Sequence, residues 1–423
     1  MAVIDSGLLL DGGAASRLKT TRDFTTGSST PAHVVPVDGY GHGTHVASLI
    51  GGNQAELQGV APAVSYVSLR VLGSSGIGIT SDVIAAVQWA VANKATYGID
   101  VLNLSLGHAI YEPAATDPLV QAVEAAVRAG IVVVASAGNV GTNPLTGLVG
   151  YGGICSPGNA PSAITVGAFK TFDTATRSDD RMADYSSRGP TWYDGRAKPD
   201  VVAPGHRLLA AAGTSQTLYT LFPALRQTIS GRPYLTLSGT SVAAGVVSGT
   251  VALMIEEARA TYGATPPTNA IKAMLQVSAF HMTDAADQPY HVLAQGAGAL
   301  NTVGAIQLAQ AIDPTVPVGS AWLAAGVTKS TAIDGQNIVW GDNIVWGDNI
   351  VWGDNIVWGD ALSTHNIVWG DNIVWGDNIV WGDNIVWGDA YNIVWGDAGN
   401  IVWGDLSLSQ AFSASLSVLT ITK

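Results

Sequence analysis

The sequence is poor in cysteine and in charged side chains. Cys155 is the only cysteine among 423 residues, so no disulfide can form within one chain, and cysteine spacing says nothing about the redox compartment. Charged residues make up 12% of the chain and hydrophobic residues 47%. This balance is typical of a globular protein with a sizeable core. At this length we expect one large domain with an appendage.

Lysine and arginine are scarce, and the negative charge is concentrated in one segment. The net charge is −13, but residues 337–405 contain ten aspartates and no lysine, arginine or glutamate, which leaves about −3 for the remainder. Nucleic acids and anionic membrane surfaces bind clustered basic residues, so neither is expected as a partner. No uninterrupted apolar run reaches the length of a membrane span, so no span is predicted.

The first residues contain no recognisable signal peptide. Met1 is followed at once by the strand-like AVIDSG, with no basic region, apolar region or cleavage motif ahead of it. We therefore expect either a protein that stays inside the cell or a sequence whose real beginning is missing, through a start codon placed too late or a deliberate truncation.

What the chain does contain, up to about Asp313, is an alternation of strand-like and helical segments. Apolar runs typical of buried strands occur at AVID, SYVSLRV, DVLNLS, GIVVVASA and AITVG. Between them, apolar residues in the range 83–91 have the spacing of one helix face, with Ser81 as the predicted cap, and a second helix is predicted near 117–129. The alternation predicts an α/β domain with parallel strands, whose chemistry would gather at their carboxyl ends.

The chain divides into four predicted parts. Residues 1–313 form the α/β domain, and residues 314–336, which are weakly patterned and contain prolines, form a linker. Residues 337–405 hold ten copies of Asn-Ile-Val-Trp-Gly-Asp, interrupted by ALSTH, AY and AG. Residues 406–423 alternate polar and apolar side chains and predict one or two closing strands.

The repeat array allows two β arrangements. Gly-Asp suits a two-residue hairpin turn, which favours a meander of short strands, whereas a stacked β-solenoid would align like residues in ladders. Its function is equally open: a stiff spacer or stability cap, self-association or adhesion, or binding of carbohydrate or cations. Since a row of aspartates repels itself, calcium-dependent folding of the array is a further hypothesis.

Three motifs carry candidate catalytic residues in the order Asp, His, Ser. Asp5 ends a strand in VIDSG, His42 lies between glycines in GHGTHVASLIGG, and Ser241 begins a small-residue helix in LSGTSVAAGVVSG. Taken singly, each has a structural explanation: a loop-capping Asp, a packed His and a helix-capping Ser. Together they meet a chemical need. A serine hydroxyl needs an imidazole to take its proton, and the imidazole needs a carboxylate to fix its tautomer.

With these motifs, residues 1 to about 312 resemble the subtilisin-like serine peptidases, the subtilases of peptidase family S8. The resemblance implies an α/β fold of three layers, with a mainly parallel central sheet flanked by helices, to which the repeats add a β-rich tail. It implies a secreted hydrolase, a serine endopeptidase that cleaves polypeptide substrates through an acyl-enzyme, with Asp5, His42 and Ser241 as catalytic residues. No cofactor is required by the resemblance; calcium is allowed, but no ligands can be assigned.

The segments VLNLSLG and ASAGN extend the resemblance. In the first, it implies that Ser105, Leu106 and Gly107 pair with an extended peptide backbone and edge the pocket for the residue before the cleaved bond. In the second, Asn139 is implied to donate its amide to the developing oxyanion beside the backbone N–H of Ser241. Further substrate-binding residues are implied in the same region: Ala137, Gly138 and Cys155.

Cys155 falls where the family places the floor of the specificity pocket, often with a glycine. A thiol there would shorten the pocket and favour small to medium apolar side chains before the cleaved bond. The alternative is that Cys155 is simply a small buried hydrophobic residue.

Two departures from the family pattern affect these expectations. Gly245 stands where a proline usually follows the nucleophile, which predicts at most a modest loss of activity. Relatives also carry a signal peptide, a pro-segment and more mature chain before the Asp strand, and part of that segment helps to build a calcium site. If residues 1–423 are the complete chain, we expect slow or failed folding.

The sequence allows three other interpretations. His42 and His45 are spaced like a zinc-binding pair, but no third ligand follows at a recognisable spacing, so no metal site is predicted. The serine-carboxyl relatives of subtilisin are disfavoured because they use Glu in place of His42. The remaining alternative is a structural or adhesive repeat protein with an inactive protease-like scaffold, in which the array self-associates or binds a surface.

Overall fold

The structure is a computed structural model that describes residues 1–9, 16–26, 32–143, 145–316 and 327. Beyond these it describes short segments at 330–333, 336–339, 379–381, 384–387, 393–396, 401–403 and 406–407.

The centre of the protein is a nine-stranded, mainly parallel sheet. In chain order, the strands described before the C-terminal segments are β1 (Ala2–Asp5), β2 (Leu18–Asp23), β3 (Ala32–His33), β4 (Asn53–Gln54), β5 (Leu57–Gln58), β6 (Tyr66–Arg70), β7 (Val101–Leu104), β8 (Val132–Ser136), β9 (Ile164–Lys170), β10 (Arg181–Met182), β11 (Val201–Pro204), β12 (Leu208–Ala211), β13 (Arg226–Ile229) and β14 (Arg232–Leu237). The central order is β10-β9-β8-β7-β1-β6-β2-β3, and β11 pairs with β9. β1 therefore lies inside the sheet, parallel to β6 and to β7.

Helices cover both faces of this sheet. The α-helices of the described residues are α1 (His42–Gly51), α2 (Thr80–Ala92), α3 (Lys94–Tyr97), α4 (Pro118–Arg128), α5 (Thr217–Leu221), α6 (Thr240–Tyr262), α7 (Thr268–Ser278), α8 (Val292–Gln295) and α9 (Thr302–Ala311). Successive strand residues point to opposite faces. Val3 packs in one core cluster with residues of α1, α6 and α7, whereas Ala2 and Ile4 pack in another with residues of α2 and α4. The expected fold of three layers with a mainly parallel sheet is confirmed.

The two helices predicted from periodicity are present, with one correction at a cap. Asp117 is the N-cap of α4 and its side chain accepts hydrogen bonds from the N–H groups of Leu119 and Val120. α2 begins at Thr80, one residue before Ser81, and Ile79 is its N-cap without a side-chain bond. Ser81 was therefore wrongly predicted as the cap, because the helix takes in an additional residue and places Ser81 in its first turn.

α6 runs through the interior of the domain. By length and composition alone it could cross a membrane, but 67% of its most apolar 18-residue stretch is buried inside the protein. Ala243, Val247 and Met254 belong to the core cluster that covers one face of the sheet. This burial is that of the central helix of an α/β domain.

A smaller antiparallel sheet and α5 lie next to α1. β14 pairs with β12 on one side and with β13 on the other. The N–H groups of Thr217 and Leu218 in α5 donate to the carbonyls of Gly39 and Tyr40, each at 3.0 Å. The turn that leads into His42 is therefore held from outside by this part of the chain.

The last described segments are antiparallel strands. β15 (Ser330–Ile333) pairs with β16 (Gln336–Val339), and the buried Thr331 accepts a bond from Asn301 at 3.2 Å. β15 thus lies inside the predicted linker. Further on, β17 (Ile379–Trp381), β18 (Asn384–Trp387), β19 (Ile393–Gly396), β20 (Ile401–Trp403) and β21 (Leu406–Ser407) form a sheet in that order. Most of the array and the end of the chain lie outside the described residues, so the domain boundaries and the array's fold stay predictions.

Candidate active site

Asp5 lies at the carboxyl end of β1, in the middle of the central sheet. Its side chain is fully buried, and its Oδ1 accepts a hydrogen bond from the N–H of Ser6 at 2.7 Å. The parallel pairing of β1 with β6 and β7 fixes the backbone on both sides. The strand pattern thus delivers one carboxylate to the edge of the sheet where ligands of α/β proteins usually bind.

His42 is the first residue of α1 and faces Asp5. Its Nδ1 lies 2.9 Å from both carboxylate oxygens. Gly43 makes this approach possible, since a Cβ there would lie 2.1 Å from the Gly7 carbonyl oxygen. Gly41 has φ 103°, a left-handed conformation that favours glycine, and it ends the preceding turn. The glycines around His42 therefore let the helix start against the strand.

Two opposing effects act on the pKa of His42. Burial lowers the pKa, while the charge of Asp5, its hydrogen bond to the ring and the charge of Asp38 raise it, and the net result is a pKa above the ordinary value of 6.5. A carboxylate on Nδ1 also fixes that nitrogen as the protonated one. Nε2 is then left as the proton acceptor.

His45 has a separate, structural environment. It is buried, and its Nε2 lies 3.2 Å from the Leu208 carbonyl and 3.1 Å from the Leu235 carbonyl. Burial, with a smaller effect from the charge of His42, lowers its pKa to about 4. His45 is therefore neutral near pH 7 and donates to the strands β12 and β14.

Ser241 lies in the first turn of α6. Its Oγ donates to the carbonyl oxygen of Ser105 at 3.0 Å, and the Oγ of Ser105 donates back to the Ser241 carbonyl at 2.9 Å. Within the part of the chain that the structure describes, no hydrogen bond joins Ser241 to His42. The serine is thus tied to the segment after β7.

The side chain of Asn139 is oriented by Thr240. The N–H and Oγ of Thr240 donate to Asn139 Oδ1 at 2.9 and 3.1 Å. A backbone N–H can only donate, so the atom facing it must be the amide oxygen, and the NH₂ group points elsewhere. Gly239, beside the start of α6, is close to that NH₂ group: a Cβ built on the glycine would lie 3.5 Å from Nδ2. Thr240 had not been predicted from the sequence; its place directly before Ser241 was the available signal.

Cys155 lies between the segment at Ala137 and Gly138 and the segment at Gly107 and His108. The backbone N–H of Cys155 donates to the Ala137 carbonyl at 2.9 Å, while the next residue, Ser156, exchanges two backbone bonds with His108. A Cβ on Gly138 would lie 2.6 Å from Cys155 Sγ, and one on Gly107 would lie 3.4 Å from Cys155 Cβ. Burial raises the pKa of the thiol.

A groove of about 420 Å³ adjoins the same site. His42, Ser105, Leu106 and Gly107 line it on one side. Ser105 is buried, whereas Gly107 is exposed. The remaining lining is largely apolar and includes Leu72, Ile77, Ile79, Val83 and Leu119. An extended chain lying along 105–107 would meet an apolar surface.

A family model described as the subtilase family matches residues 2–304. This chain belongs to the subtilase family. The match takes in every catalytic and substrate-binding residue predicted from the sequence, and it ends before the repeat array.

Several curated proteins are similar to this subtilase. The serine protease AprX of Bacillus subtilis is 35% identical over 266 residues, which are 61% of this chain and 57% of AprX. Subtilisin DY of Bacillus licheniformis is 36% identical over 222 residues, 52% of this chain and 65% of that protein. Pyrolysin of Pyrococcus furiosus is 33% identical over 343 residues, 67% of this chain and 22% of pyrolysin. The chain thus spans less than two thirds of the length of each.

A metal centre receives no support from the side chains in the described ranges. Across those ranges, His, Cys, Asp and Glu form no group of three or more that could hold a metal ion. Calcium binding stays a prediction without assigned ligands.

Proposed function

We propose that this subtilase is a serine endopeptidase with Asp5, His42 and Ser241 as its catalytic residues. The observation that carries the proposal is the contact of both Asp5 oxygens with His42 Nδ1 at 2.9 Å, at the edge of the sheet where α6 presents Ser241. An Asp that only capped a loop would need no such contact with a histidine.

The first step is attack of Ser241 on a substrate carbonyl. Ser241 Oγ must leave the Ser105 carbonyl and donate to His42 Nε2, which takes its proton as the Oγ–C bond forms. The carbonyl π electrons move to the oxygen. Asp5 stabilises the imidazolium that results, because its carboxylate already contacts Nδ1.

The oxyanion is stabilised by donors fixed in advance. Thr240 donates to Asn139 Oδ1, which leaves the NH₂ group of Asn139 to donate to the negative oxygen of the substrate. The N–H of Ser241 lies in the first turn of α6, where N–H groups have no partner within the helix and where the helix dipole favours negative charge. A donor in such a position contributes about 10²–10³ in rate.

The tetrahedral intermediate then collapses to an acyl-enzyme, which water hydrolyses in a second stage. The imidazolium gives its proton to the leaving amine as the C–N bond breaks, and Ser241 is left as an ester. A water molecule next loses a proton to His42, its oxygen attacks the ester, and the proton returns to Ser241 Oγ as the acid leaves.

We infer that the substrate is an extended polypeptide with apolar side chains. The segment from Ser105 to Gly107 offers its backbone at the groove, and Leu72, Ile79 and Leu106 supply apolar lining. A strand-like peptide can add to such an edge. Cys155, between Gly107 and Gly138, would limit the depth of the pocket next to the cleaved bond.

A peptide library tests the role of Cys155. Cleavage by the parent should favour small to medium apolar residues before the cleaved bond, and Cys155→Gly should admit larger ones. An unchanged preference in the variant would remove Cys155 from the specificity pocket.

An activity-based probe tests the catalytic assignment. A fluorophosphonate should label Ser241 in the folded parent, as located by mass spectrometry, and should not label Ser241→Ala. Ser178→Ala, which changes an exposed serine in the loop before β10, should label like the parent. A folded parent that stays unlabelled would favour the inactive-scaffold hypothesis.

The finer expectations for the repeats and for location also belong to this proposal. Ten near-contiguous copies of one β-favouring unit support self-association or surface binding by residues 337–405. Sedimentation velocity of the full chain should show association that rises with concentration; a monomer at every concentration would contradict self-association. Family membership supports extracellular action, which detection of the protein in the culture medium of its host would check.

A further inference from the structure

A second buried carboxylate lies beside the site and has no part in the proton transfers described above. Asp38 is only 4% exposed. It precedes His42 by four residues, in the turn VDGYGH. A buried carboxylate is costly unless hydrogen bonds satisfy it, so its partners indicate what it holds in place.

Asp38 holds the start of α1. Its Oδ1 accepts from the N–H of Gly41 at 2.7 Å and of Tyr40 at 3.2 Å. Its Oδ2 accepts from the N–H of Thr44 at 2.8 Å and from Thr44 Oγ at 2.7 Å. The N-cap residue, Gly41, makes no side-chain bond. Asp38 therefore does the capping from outside the helix, on both sides of His42.

Asp38 is also connected to Asp5. Ser6 Oγ donates to Asp38 Oδ1 at 2.8 Å and accepts from the N–H of Gly43 at 3.0 Å, while the Ser6 N–H donates to Asp5 Oδ1. One short network thus joins the strand that carries Asp5 to the helix that carries His42. A change in it would alter the position of the two relative to each other.

The charge of Asp38 acts on His42 as well. Its carboxylate is one of the two that raise the pKa of the imidazole, with Asp5 as the stronger. The other titratable groups near His42 are His45 in α1, with which its charge interacts, and Tyr40 and His108, which line the same groove. Asp5 and Asp38 are thus the anions identified around the ring.

We propose that Asp38 is a positioning residue of this site. It fixes the start of α1 and, through Ser6, the strand that carries Asp5, so that His42 Nδ1 stays in contact with the Asp5 carboxylate. Its charge also stabilises the imidazolium. The inference rests on the proposed function.

Asp38→Asn tests the proposal, because it keeps the size of the side chain and removes its charge. The substitution also replaces one of the two accepting oxygens by an NH₂ group, which would face the N–H and O–H donors that now bond to Asp38. For a fluorogenic peptide, kcat should fall by about 10²-fold, the scale of a misplaced catalytic group, with KM nearly unchanged. The acidic limb of the kcat profile should move to lower pH, since the pKa of His42 falls.

A structural control separates positioning from general damage. Asp23→Asn changes another buried carboxylate, at the end of β2, which accepts bonds from Thr25 in the turn that follows and from Arg70 at the end of β6. It should leave the pH profile of kcat unchanged. If Asp38→Asn fails to fold, Ser6→Ala removes the hydroxyl that donates to Asp38 and accepts from the Gly43 N–H, keeps the backbone bond to Asp5, and should still lower kcat.

An NMR titration of the His42 ring in the full chain provides a readout that does not require activity. Asp38→Asn should lower the pKa of His42, and Asp23→Asn should not. A folded Asp38→Asn protein with the parent's kcat, pH profile and His42 titration would overturn the proposal, even if probe labelling of Ser241 upholds the endopeptidase. If Ser241 stays unlabelled but the titration moves as expected, the proposed function fails and the coupling of Asp38 to His42 stands.

Discussion

The pair formed by Asp5 and His42 and the pair formed by Ser241 and Asn139 are held in different ways. The first pair is in contact, with both carboxylate oxygens 2.9 Å from Nδ1. In the second, Asn139 is fixed by Thr240, while Ser241 Oγ is bonded to the Ser105 carbonyl. The proposed base is therefore oriented before substrate arrives, whereas the side chain of the proposed nucleophile must still rotate away from Ser105.

The largest expected effect breaks the first pair. Asp5→Asn keeps the shape of the side chain but presents an amide to Nδ1, which favours the wrong tautomer of His42. On the scale seen when this carboxylate is replaced in serine proteases, kcat should fall by about 10⁴. Steady-state kinetics on a peptide substrate measures it; a loss below tenfold would show that Asp5 does not orient the base.

Asn139→Ala breaks the second pair at the oxyanion. Removing one donor should lower kcat by about 10²–10³ and leave KM nearly unchanged, because the donor acts on charge that develops in the transition state. A variant that changes KM alone would place Asn139 in substrate binding instead.

The pH dependence of activity sharpens the account of the first pair. His42 must be neutral to accept a proton, and its raised pKa means that the protonated, inactive form persists above the ordinary value of 6.5. Activity should therefore fall about tenfold per pH unit as pH drops below that raised pKa. A kcat/KM profile whose acidic limb lies below 6.5 would contradict the strong contact with Asp5.

The smallest expected effect concerns the support of Asn139. Thr240→Val removes the hydroxyl that donates to Asn139 Oδ1 and accepts from the Gly138 N–H, but the backbone bond from residue 240 remains. A neutral hydrogen bond contributes about 1 kcal/mol, so kcat should fall severalfold. Thr250→Val, further along α6, serves as the matched control and should retain parental kcat.

Much of the fold followed from the sequence. Apolar runs such as AVID predict buried parallel strands, and Asp117 before an amphipathic segment marks the start of α4. The segments of the site could be located too, because the glycines around His42 and the small residues after Ser241 are an uncommon pattern that allows close packing of helix against strand.

The rest depends on contacts between distant residues, which no local pattern records. Asp38 acts through Ser6, 32 positions away, and Thr240 through Asn139, 101 positions away. α5 lies in a stretch without a strong motif, yet it holds the turn before His42. Likewise, the bond from Ser241 to Ser105 depends on how α6 meets β7, a matter of packing rather than of sequence spacing.

The most direct test is a crystal structure of the chain with a peptide boronic acid, whose tetrahedral boron stands in for the attacked carbonyl carbon. We expect a bond from boron to Ser241 Oγ, with the Oγ turned away from Ser105. We also expect one boronate oxygen about 2.7–3.1 Å from Asn139 Nδ2 and from the nitrogen of the Ser241 N–H. Boron bound elsewhere, or Ser241 still donating to Ser105 beside an occupied groove, would contradict the proposed mechanism.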